Sequence, residues 1–342
     1  MKENVILVDF EPSENWEFKG ALEQETRVNW STCKCVSNKN HGGVFQTLIR
    51  YLKYSFFPFK IFWRRNHYQK IIAWQQFYGL SLAMYLRMFR AKKAPEITIM
   101  TFIYKPKRHI WGRIYARFVR GAIASGYIKR IIVYSQAERE YYPKVLNVPK
   151  EYFVATQLGI ADEKADFTTS KGDYYVAPGR SNRDYDFLSR AWGEMRETVE
   201  LEILCDSIKT ENIAAVRYLK HCQGKAFSEK IANCFAVIIP LADEKVSSGQ
   251  LVALQAMMFG KPLIVTKNAT ISEYVNNNQD GIIIEKNIKE LQAAMAKLQD
   301  PQYYEQMSLN ARKKFEDTFS LVLLGTAVGN LLKEEKVVDE QC

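Results

Sequence analysis

The residues of this sequence best suited to hold a diphosphate are two arginines. Arg180 and Arg183 follow a short apolar segment, and Gly179 comes directly before them. A fixed guanidinium stabilises the negative charge on a diphosphate leaving group, and its planar fork can hydrogen-bond two oxygens at once. The pattern therefore predicts a diphosphate site in a loop. The alternative is an exposed loop in which Arg183 pairs with Asp184 or Asp186.

A second candidate phosphate site lies at residues 247–249. The apolar segment 235–239 precedes it, and residues 251–258 show helical spacing before Gly260 and Pro262. This pattern predicts a strand, a turn and a helix, with a serine capping free N–H groups in the first turn. Such a helix N-terminus suits a phosphate. One helix face is predicted to hold Leu251, Leu254, Gln255 and Met258, away from bulk water. The residues assigned to the site are Ser247, Ser248, Gly249, Gln250 and Gln255.

Residues 251–262 resemble the donor-nucleotide site of GT-B glycosyltransferases, particularly family 4. They keep the helix, its Ala-Met pair and its Gly-x-Pro exit. Family 4 members carry two glutamates in this region, whereas this sequence has Ser247 at the first position and Gln255 at the second. Gln250 replaces a glycine. Glu244 supplies the first carboxylate if the longer loop folds back.

The resemblance implies an α/β protein of GT-B architecture, with two Rossmann-like domains facing across a cleft. A basic, acceptor-binding domain would comprise residues 1–159, and a nucleotide-sugar-binding domain residues 160–320. The helix and tail over 321–342 would pack back on the first domain. In family 4 a Gly-Arg…Lys-Gly loop holds the donor pyrophosphate. Arg180 matches that arginine, and Arg183 comes two residues earlier than the lysine.

Composition limits the protein class. The 342 residues are 47% hydrophobic, enough to bury two cores. No segment reads as a transmembrane helix and the charged N-terminus lacks a signal-peptide pattern, so we expect a cytoplasmic protein. The six cysteines lack paired metal spacing, which predicts reduced thiols. No Gly-rich fingerprint follows the first strand, so no dinucleotide cofactor is expected. No metal is expected either, because the resemblance is to GT-B enzymes, which as a class need no bound metal to stabilise the leaving group.

Positive charge is concentrated in the first half. Residues 1–160 hold 26 Lys and Arg against 11 Asp and Glu, a net +15, and residues 161–342 have a net charge of −5. Between Arg50 and Arg130 there are 18 basic residues and one acid, Glu96. This imbalance favours a polyanionic partner: a membrane surface, a phosphorylated lipid or a nucleic acid.

Aromatic and basic residues alternate over 59–65, after a predicted helix over 44–57 that Pro58 would end. This suits a segment lying on an anionic membrane; a packed core with cations reaching outward is an equally supported alternative. Residues 111–123 predict a helix with a basic stripe. The predicted acceptor or membrane face comprises Lys60, Arg64, Arg65, Gln75, Gln76, Tyr78, Lys105, Arg113 and Arg117.

Candidate catalytic residues lie after predicted strands of the first domain. Asp9 and Glu11 follow the strand 4–8, where side chains line the ligand crevice of an open α/β sheet. Gln75, Gln76 and Tyr78 follow the strand 70–74, where they could bind sugar hydroxyls. The resemblance adds His109, because a histidine of this domain often reaches the donor sugar in family 4. For each of them, a structural role in its loop is the alternative.

Together these features predict a metal-independent glycosyltransferase of the bacterial polysaccharide or glycoconjugate type. It would move a sugar from a nucleotide-diphosphate sugar, best a UDP-sugar, to a glycan or lipid-linked acceptor. It would act on the inner face of the cell membrane. A catalytically inactive GT-B partner protein is the first alternative, because both family glutamates are replaced. A nucleic-acid-binding protein is the second, but it leaves the phosphate-binding turn unexplained.

Overall fold

Short apolar segments alternate with helical patterns along the chain, and they form the strands and helices of two separate sheets. The computed structural model describes residues 2–36, 44–106, 109–195, 199–208 and 212–333. The chain divides into two units. The first comprises Met1–Thr156 and Gly325–Cys342, and the second comprises Gln157–Leu324. The division after Thr156 lies close to the boundary at residue 159 that the resemblance implied.

Parallel strands form the sheet of the first unit. Their bounds are β1 (Glu3–Val8), β2 (Trp30–Lys34), β3 (Tyr68–Gln75), β4 (Glu96–Thr101), β5 (Ile128–Val133) and β6 (Phe153–Ala155). The spatial order is β2-β1-β3-β4-β5-β6. Helices cover both faces of a parallel sheet, so central strands such as β1 are buried almost throughout. The direction in which successive strands are added to the sheet reverses between β1 and β3. The topological switch point of this sheet therefore lies between these two strands.

The helices of this sheet are α1 (Glu17–Thr26), α2 (Val44–Trp63), α3 (Gln76–Met88), α4 (Ile110–Ile123) and α5 (Gln136–Leu146). The prediction that Pro58 ends a helix is wrong, because α2 runs through it. A proline inside a helix removes one hydrogen bond and favours a kink. Its neighbours hold α2 against α3: the rings of Phe57 and Tyr78 lie 4.8 Å apart, and those of Phe59 and Tyr85 lie 5.2 Å apart.

The second unit has an equivalent sheet. Its strands are β7 (Tyr174–Pro178), β8 (Glu200–Leu204), β9 (Val216–Leu219), β10 (Ala236–Ile239), β11 (Leu263–Thr266) and β12 (Ile282–Ile284). They are parallel, in the order β12-β11-β10-β7-β8-β9. The chain moves outward from β7 through β8 and β9, then crosses back to β10. The switch point of this sheet therefore lies between β7 and β10.

The remaining helices are α6 (Tyr185–Met195), α7 (Lys225–Ala232), α8 (Gln250–Met258), α9 (Ile288–Leu298), α10 (Pro301–Thr318) and α11 (Leu321–Lys333). From Gly325 onward α11 belongs to the first unit. It packs closely on α1 because two of its residues lack side chains. A Cβ atom at Gly325 would lie 2.5 Å from the carbonyl oxygen of Phe18, and one at Gly329 would lie 2.6 Å from Cβ of Glu25.

Two further observations concern the length of the helices and the state of the cysteine thiols. Among the described residues, no helix combines the length and the apolar character needed to cross a bilayer. The cysteines within the described ranges carry free thiols, and two of them, Cys205 and Cys234, are buried. Among the described residues, the framework that positions the site is therefore held by three buried apolar clusters, one in the first unit and two in the second, and not by cross-links.

Candidate functional site

The switch point of the second unit brings two loops together. The arginine loop, residues 179–184, follows β7, and the serine loop, residues 240–249, follows β10. Because β7 and β10 are neighbouring parallel strands, both loops leave the same edge of the sheet. A backbone hydrogen bond joins them, in which Asp184 N–H donates to Pro240 O at 2.8 Å. The structure thus places the two predicted phosphate-binding segments side by side.

Asn182 of the arginine loop holds the serine loop in place. Its backbone lies in the left-handed region, with φ of 56°, which asparagine tolerates better than most residues. Its amide nitrogen donates to Asp243 O at 3.0 Å, Val246 O at 3.3 Å and Ser248 Oγ at 2.9 Å. Its amide oxygen accepts from Asp243 N–H at 2.9 Å. A single side chain therefore fixes three residues of the neighbouring loop.

Asn268, just after β11, holds the same loop and is only 1% exposed. Its amide nitrogen donates to Asp243 O at 3.0 Å and Val246 O at 3.1 Å. Its amide oxygen accepts from the N–H groups of Thr270 and Ile271. Two asparagines on different strand ends thus donate to the same two carbonyl oxygens. The serine loop is fixed before any ligand binds, which lowers the entropy cost of binding.

Arg183 is largely enclosed within the arginine loop. Its Nε donates to Pro178 O at 3.2 Å and its Nη1 to Ser181 O at 2.8 Å. A Cβ atom at Gly179 would lie 2.7 Å from Nη2, so only glycine, with φ of 116°, fits over the guanidinium. Burial lowers the pKa of Arg183. Across the described ranges no carboxylate lies within 4 Å of it, so its charge has no counter-ion.

The alternative that Arg183 pairs with an adjacent aspartate is wrong. Asp184 forms an ion pair with Lys286 at 2.9 Å, and its Oδ1 accepts from Phe187 N–H at 3.0 Å at the start of α6. Asp186 lies exposed in the first turn of α6, where a carboxylate is stabilised by the helix dipole. Both aspartates therefore stabilise the start of α6, and neither pairs with Arg183.

Arg180 is exposed at the same strand edge. Its guanidinium makes no hydrogen bond or ion pair within the part of the chain that the structure describes. The nearby Asp206, which follows β8, has its pKa held below the usual range. His221 N–H at 2.6 Å is the main cause, followed by the Gln223 amide at 3.0 Å, and Arg180 adds a smaller charge effect. Arg180 is thus available to an incoming anion.

The N-terminus of α8 is open. Gly249, with φ of 95°, is its N-cap residue and provides no side chain to cap it. The prediction that a serine caps this helix is wrong, because both hydroxyls are engaged elsewhere. Ser247 Oγ accepts from Gln250 Nε2 at 2.6 Å, and Ser248 Oγ accepts from Asn182. The first backbone N–H groups of α8 therefore lack side-chain acceptors, as an anion site requires.

The predicted buried face of α8 is also corrected. Leu254 and Met258 are buried as expected, but Leu251 is 58% exposed. Gln255 lies one turn from Leu251 on the same side and is half-buried. Its side chain has no hydrogen-bond partner among the described residues. The helix is apolar nearly all round, so its sequence carries little periodicity to identify the exposed side.

Glu244 lies at the outer part of the serine loop. Its carbonyl oxygen accepts from Ala269 N–H at 3.0 Å. Its side chain is exposed, and its charge contributes to the raised pKa of Lys267, after the larger effect of Glu285. The suggestion that Glu244 replaces the first family glutamate stays a prediction.

The switch point of the first unit carries Asp9. This half-buried carboxylate directly follows β1, and Gln75 ends the neighbouring β3. Asp9 makes no hydrogen bond or ion pair within the described ranges. Burial, and next the Asp9 charge, raise the pKa of Tyr54, so the carboxylate lies near that phenol. By contrast, the exposed Glu11 is paired with Lys34. Asp9 is therefore the freer of the two predicted bases.

The polar groups predicted to bind sugar hydroxyls bond mainly to their own domain. Gln75 caps α3 by accepting from Phe77 N–H at 3.1 Å, and Gln76 Oε1 accepts from Ile103 N–H at 2.9 Å. Tyr78 is fully buried and donates to Cys35 O at 2.9 Å. These contacts match the structural alternative for all three residues, which position loops at the end of β3.

His109 is the N-cap residue of α4. Its Nδ1 accepts from Gly112 N–H at 3.3 Å, which satisfies one of the free donors of the first turn. The imidazole is exposed. This geometry gives His109 a structural role, and a role in donor binding stays a prediction. Lys105, in the same connection, is exposed and forms no ion pair with a described carboxylate.

The basic face of the first unit also exposes apolar side chains. Lys60, Arg64, Arg113 and Arg117 are exposed, while Arg65 lies over the Phe62 ring at 4.5 Å. Between them, Trp63 is 68% and Trp111 is 73% exposed. The other large apolar residues exposed on α2, α3, α4 and their flanks are Ile49, Tyr51, Leu52, Phe56, Met88, Phe89, Ile103, Ile110 and Ile114. Cationic and apolar surface is therefore interleaved across three helices.

Sequence reasoning missed both asparagines that hold the serine loop. Asn182 has a local signal, since asparagine in a Gly-Arg-Ser-Asn turn favours the left-handed conformation. Asn268 could have been found as a polar residue directly after a buried strand. Neither signal shows the partner loop. Within the described ranges, no cluster of three or more His, Cys, Asp or Glu side chains could hold a metal ion.

The two sheets, each with candidate residues at its switch point, define a class of proteins with two Rossmann-like domains, the GT-B fold. Solved structures share it. The Anabaena protein Alr3699/HepE, in complex with UDP, is 15% identical with a TM-score of 0.68, covering 98% of this chain and 100% of that one. Sucrose-phosphate synthase from Thermosynechococcus elongatus is 13% identical with a TM-score of 0.68 and the same coverage. A glycosyltransferase from Rickettsia africae is 12% identical with a TM-score of 0.63, covering 97% and 98%.

The family comparison concerns the second unit. Residues 192–314, which contain α8 and the serine loop, match the family model of glycosyl transferases group 1. No curated protein sequence matches the chain. The predicted α/β class with two Rossmann-like, GT-B domains is confirmed.

Proposed function

We propose that the protein is a glycosyltransferase that moves a sugar from a nucleotide-diphosphate sugar to a glycan or lipid-linked acceptor. The observation that carries the proposal is the arrangement at the switch point of the second unit. There, as far as the described residues go, an enclosed arginine without a counter-ion, an exposed arginine and an uncapped helix N-terminus surround one strand edge. Three groups with unsatisfied affinity for anions on adjacent loops suit a diphosphate better than a single phosphate.

The donor is best a UDP-sugar. Structures of Alr3699/HepE were determined with UDP and with UDP-glucose, and that protein shares the fold of this chain. We assign Arg180, Arg183 and the N–H groups of residues 249–251 to the diphosphate, and Gln255 to the ribose. Arg180 and Arg183 stabilise the departing diphosphate by their fixed charge, so no metal or organic cofactor is needed.

The acceptor is assigned to the first unit. Its switch point offers Asp9, a carboxylate without a partner among the described residues, as the group that binds or deprotonates an acceptor hydroxyl, with Glu11 and His109 as weaker candidates. Because the reaction extends a glycan or glycolipid, its place is in polysaccharide or glycoconjugate biosynthesis.

We further propose that the basic face of the first unit docks on the inner, anionic surface of the cell membrane. Each Lys or Arg near such a surface contributes about 1 kcal/mol, and exposed aromatic side chains add burial in the headgroup region. Lys60 and Arg64 lie beside the exposed Trp63, and Arg113 beside Trp111. Liposome co-sedimentation should need acidic lipid and should fall when Lys60, Arg64 and Arg65 become glutamate. Equal binding to neutral and acidic vesicles would remove this part of the proposal.

Calorimetric titration with UDP and a transfer assay with a panel of nucleotide sugars test the central proposal. We expect micromolar to millimolar affinity for UDP and sugar release or transfer from a UDP-sugar. Binding without turnover would identify an inactive GT-B protein. Absence of nucleotide binding, together with a gel shift of DNA or RNA at physiological salt, would identify the nucleic-acid binder instead.

A further inference from the structure

A lysine that follows β12 contacts both loops at the switch point of the second unit. Lys286 comes shortly after Ile284, the last residue of β12, so it lies at the same edge of the parallel sheet as the arginine loop and the serine loop. Its Nζ lies 2.9 Å from Asp184 Oδ2 of the arginine loop and donates to Ala242 O of the serine loop at 3.1 Å. One side chain therefore joins both loops to the end of a third strand.

The two contacts of Lys286 lie on either side of Arg183. Arg183 is paired with Leu241 of the serine loop in an antiparallel bridge. The neighbours of that bridge, Ala242 and Asp184, each donate a backbone N–H to the opposite loop, at 3.1 Å and 2.8 Å. Lys286 contacts these same two residues. The hydrogen bond to Ala242 O therefore holds the ammonium group beside Asp184, at the segment that carries Arg183.

Asp184 places a negative charge next to the site assigned to the diphosphate. Its position is fixed locally, because its Oδ1 accepts from Phe187 N–H at 3.0 Å and so caps the first turn of α6. Without a counter-ion this carboxylate would repel a diphosphate and offset part of the positive charge of Arg180 and Arg183. Among the described residues, Lys286 is the cation that pairs with it.

We propose that Lys286 is a positioning residue for the diphosphate of the donor, and that it acts by neutralising Asp184. The aspartate can then cap α6 while the charges of Arg180 and Arg183 stay available to the ligand. Lys286 acts through these groups and not by contact with the donor. This inference rests on the proposed function, because it concerns the diphosphate site of the same transfer reaction.

Replacement of Lys286 tests whether its charge supports diphosphate binding. Lys286→Met keeps the length of the side chain and removes the charge, so we expect the dissociation constant of UDP to rise about threefold to tenfold in calorimetric titration at low salt. The rise should shrink as salt is added, because ions screen a partly exposed carboxylate. Lys286→Arg keeps the charge and should bind UDP within about twofold of wild type.

A second substitution separates the charge of the pair from its structural contacts. In the double variant Lys286→Met with Asp184→Asn, the asparagine oxygen can still accept from Phe187 N–H, but the negative charge is absent. UDP affinity should therefore return to within about twofold of wild type. If Lys286 only held the serine loop through Ala242 O, the second substitution would restore nothing.

The matched control is Lys313→Met, because Lys313 pairs with Asp317 at 2.8 Å on α10 and both side chains are exposed. This variant changes the net charge equally and should leave UDP affinity unchanged, and thermal unfolding shows whether each variant folds. Unchanged UDP affinity in Lys286→Met, an equal loss in Lys313→Met, or a double variant no better than Lys286→Met would overturn the inference. If wild type binds no UDP, the proposed function itself fails, which is a separate result.

Discussion

The two switch points have opposite local charge, and each is also opposite to the net charge of its own part of the chain. Residues 1–160 have a net charge of +15, yet the switch point between β1 and β3 presents Asp9. Residues 161–342 have a net charge of −5, yet the switch point between β7 and β10 presents Arg180 and Arg183. The net charge of each region therefore reflects its outer surface, whereas the charges of the strand-end loops indicate which kind of ligand binds there.

The strand-end loops of the two units also differ in the contacts that hold them in place. In the second unit, Asn182 and Asn268 tie the serine loop through side-chain amides, and the arginines keep donors for a ligand. In the first unit, Gln75 and Gln76 bond to nearby backbone, and ring packing holds Phe10 and Trp74. A fixed cationic crevice suits a charged donor common to many reactions.

The largest expected effect is the loss of transfer activity when Arg180 is replaced. Arg180→Ala should lower kcat/KM for sugar transfer by roughly 10²–10³, the range found when one fixed donor to a developing anion is removed. Because Arg180 is exposed and has no partner in the described part of the chain, folding should be unaffected. Arg190→Ala, another exposed arginine of the same unit, is the matched control. Near wild-type transfer with unchanged UDP affinity in Arg180→Ala would show that the diphosphate lies elsewhere.

Replacement of Arg183, in the same loop, should affect stability more than replacement of Arg180 does. Arg180 matches the family arginine directly, whereas Arg183 comes two residues before the position of the family lysine, so Arg183→Ala should cost less activity than Arg180→Ala. Its enclosed guanidinium also supports Pro178 O and Ser181 O, so its removal should lower the free energy of unfolding by about 1–3 kcal/mol. Chemical denaturation measures this loss. Equal stability of the two alanine variants would contradict the distinction between a free and an enclosed arginine.

The next effect tests whether the serine loop is held by amide donors. Asn268→Asp keeps the acceptor oxygen but loses the donations to Asp243 O and Val246 O, and we expect about 1–3 kcal/mol lower stability. Amide hydrogen exchange should quicken in the serine loop, and UDP affinity should fall. Asn278→Asp is the control, because that side chain is bound through its oxygen. Unchanged exchange in Asn268→Asp would mean that the loop is held by other contacts.

A smaller effect is expected at Gln255. Because this amide is half-buried beside the exposed Leu251, replacing it leaves no fully buried orphan group. Gln255→Leu should therefore weaken UDP binding by about 0.5–1.5 kcal/mol, the net value of one hydrogen bond, and Gln255→Glu should retain activity. Calorimetry decides the point. If the leucine variant binds UDP as tightly as wild type, Gln255 makes no contact with the nucleotide.

Buried strands were the features best predicted from sequence. The segments 235–239 and 4–8 correspond to Ala236–Ile239 and Glu3–Val8, since a strand buried on both faces needs a continuous apolar run bounded by turn residues. Pro58 was misread because local propensity cannot show that Phe57 and Phe59 hold α2 against α3. The exposed side of α8 was misread because a helix buried nearly all round lacks amphipathic periodicity.

Candidate site residues could be predicted from the sequence where they lie close together along the chain. The arginine loop and the serine loop are each contiguous, so their residue types could be identified without the fold. What holds the loops could not, because Asn182 and Asp243 are 61 residues apart in sequence. The same is true of Phe10, Trp16 and Trp74, whose rings pack together although they come from three separate parts of the chain. Long-range side-chain contacts follow only once strand order is known.

The smallest effect tests the far end of α8, where the ion pair between Asp162 and Arg312 lies. Arg312 Nη2 lies 2.6 Å from Asp162 Oδ2, and Nη1 donates to Met258 O at the C-terminus of α8. The hydrogen bonds from Arg312 lower the pKa of Asp162. A carboxyl group with a lowered pKa stabilises the fold above its unfolded pKa of about 3.9, and this contribution disappears as pH falls through the folded value.

Asp162→Asn removes the charge, so wild type should exceed this variant in unfolding free energy by at most about 1 kcal/mol at pH 6, as expected for a partly exposed pair. The difference should shrink as urea unfolding is repeated at pH 5, 4 and 3. UDP affinity at pH 7 should be the same in both proteins, because the diphosphate is assigned to the opposite end of α8. A difference that stays constant with pH would show that Asp162 acts through its hydrogen-bond geometry. A loss of UDP affinity would show that the two ends of α8 are coupled, and that the crevice of the second unit is fixed by more than its own loops.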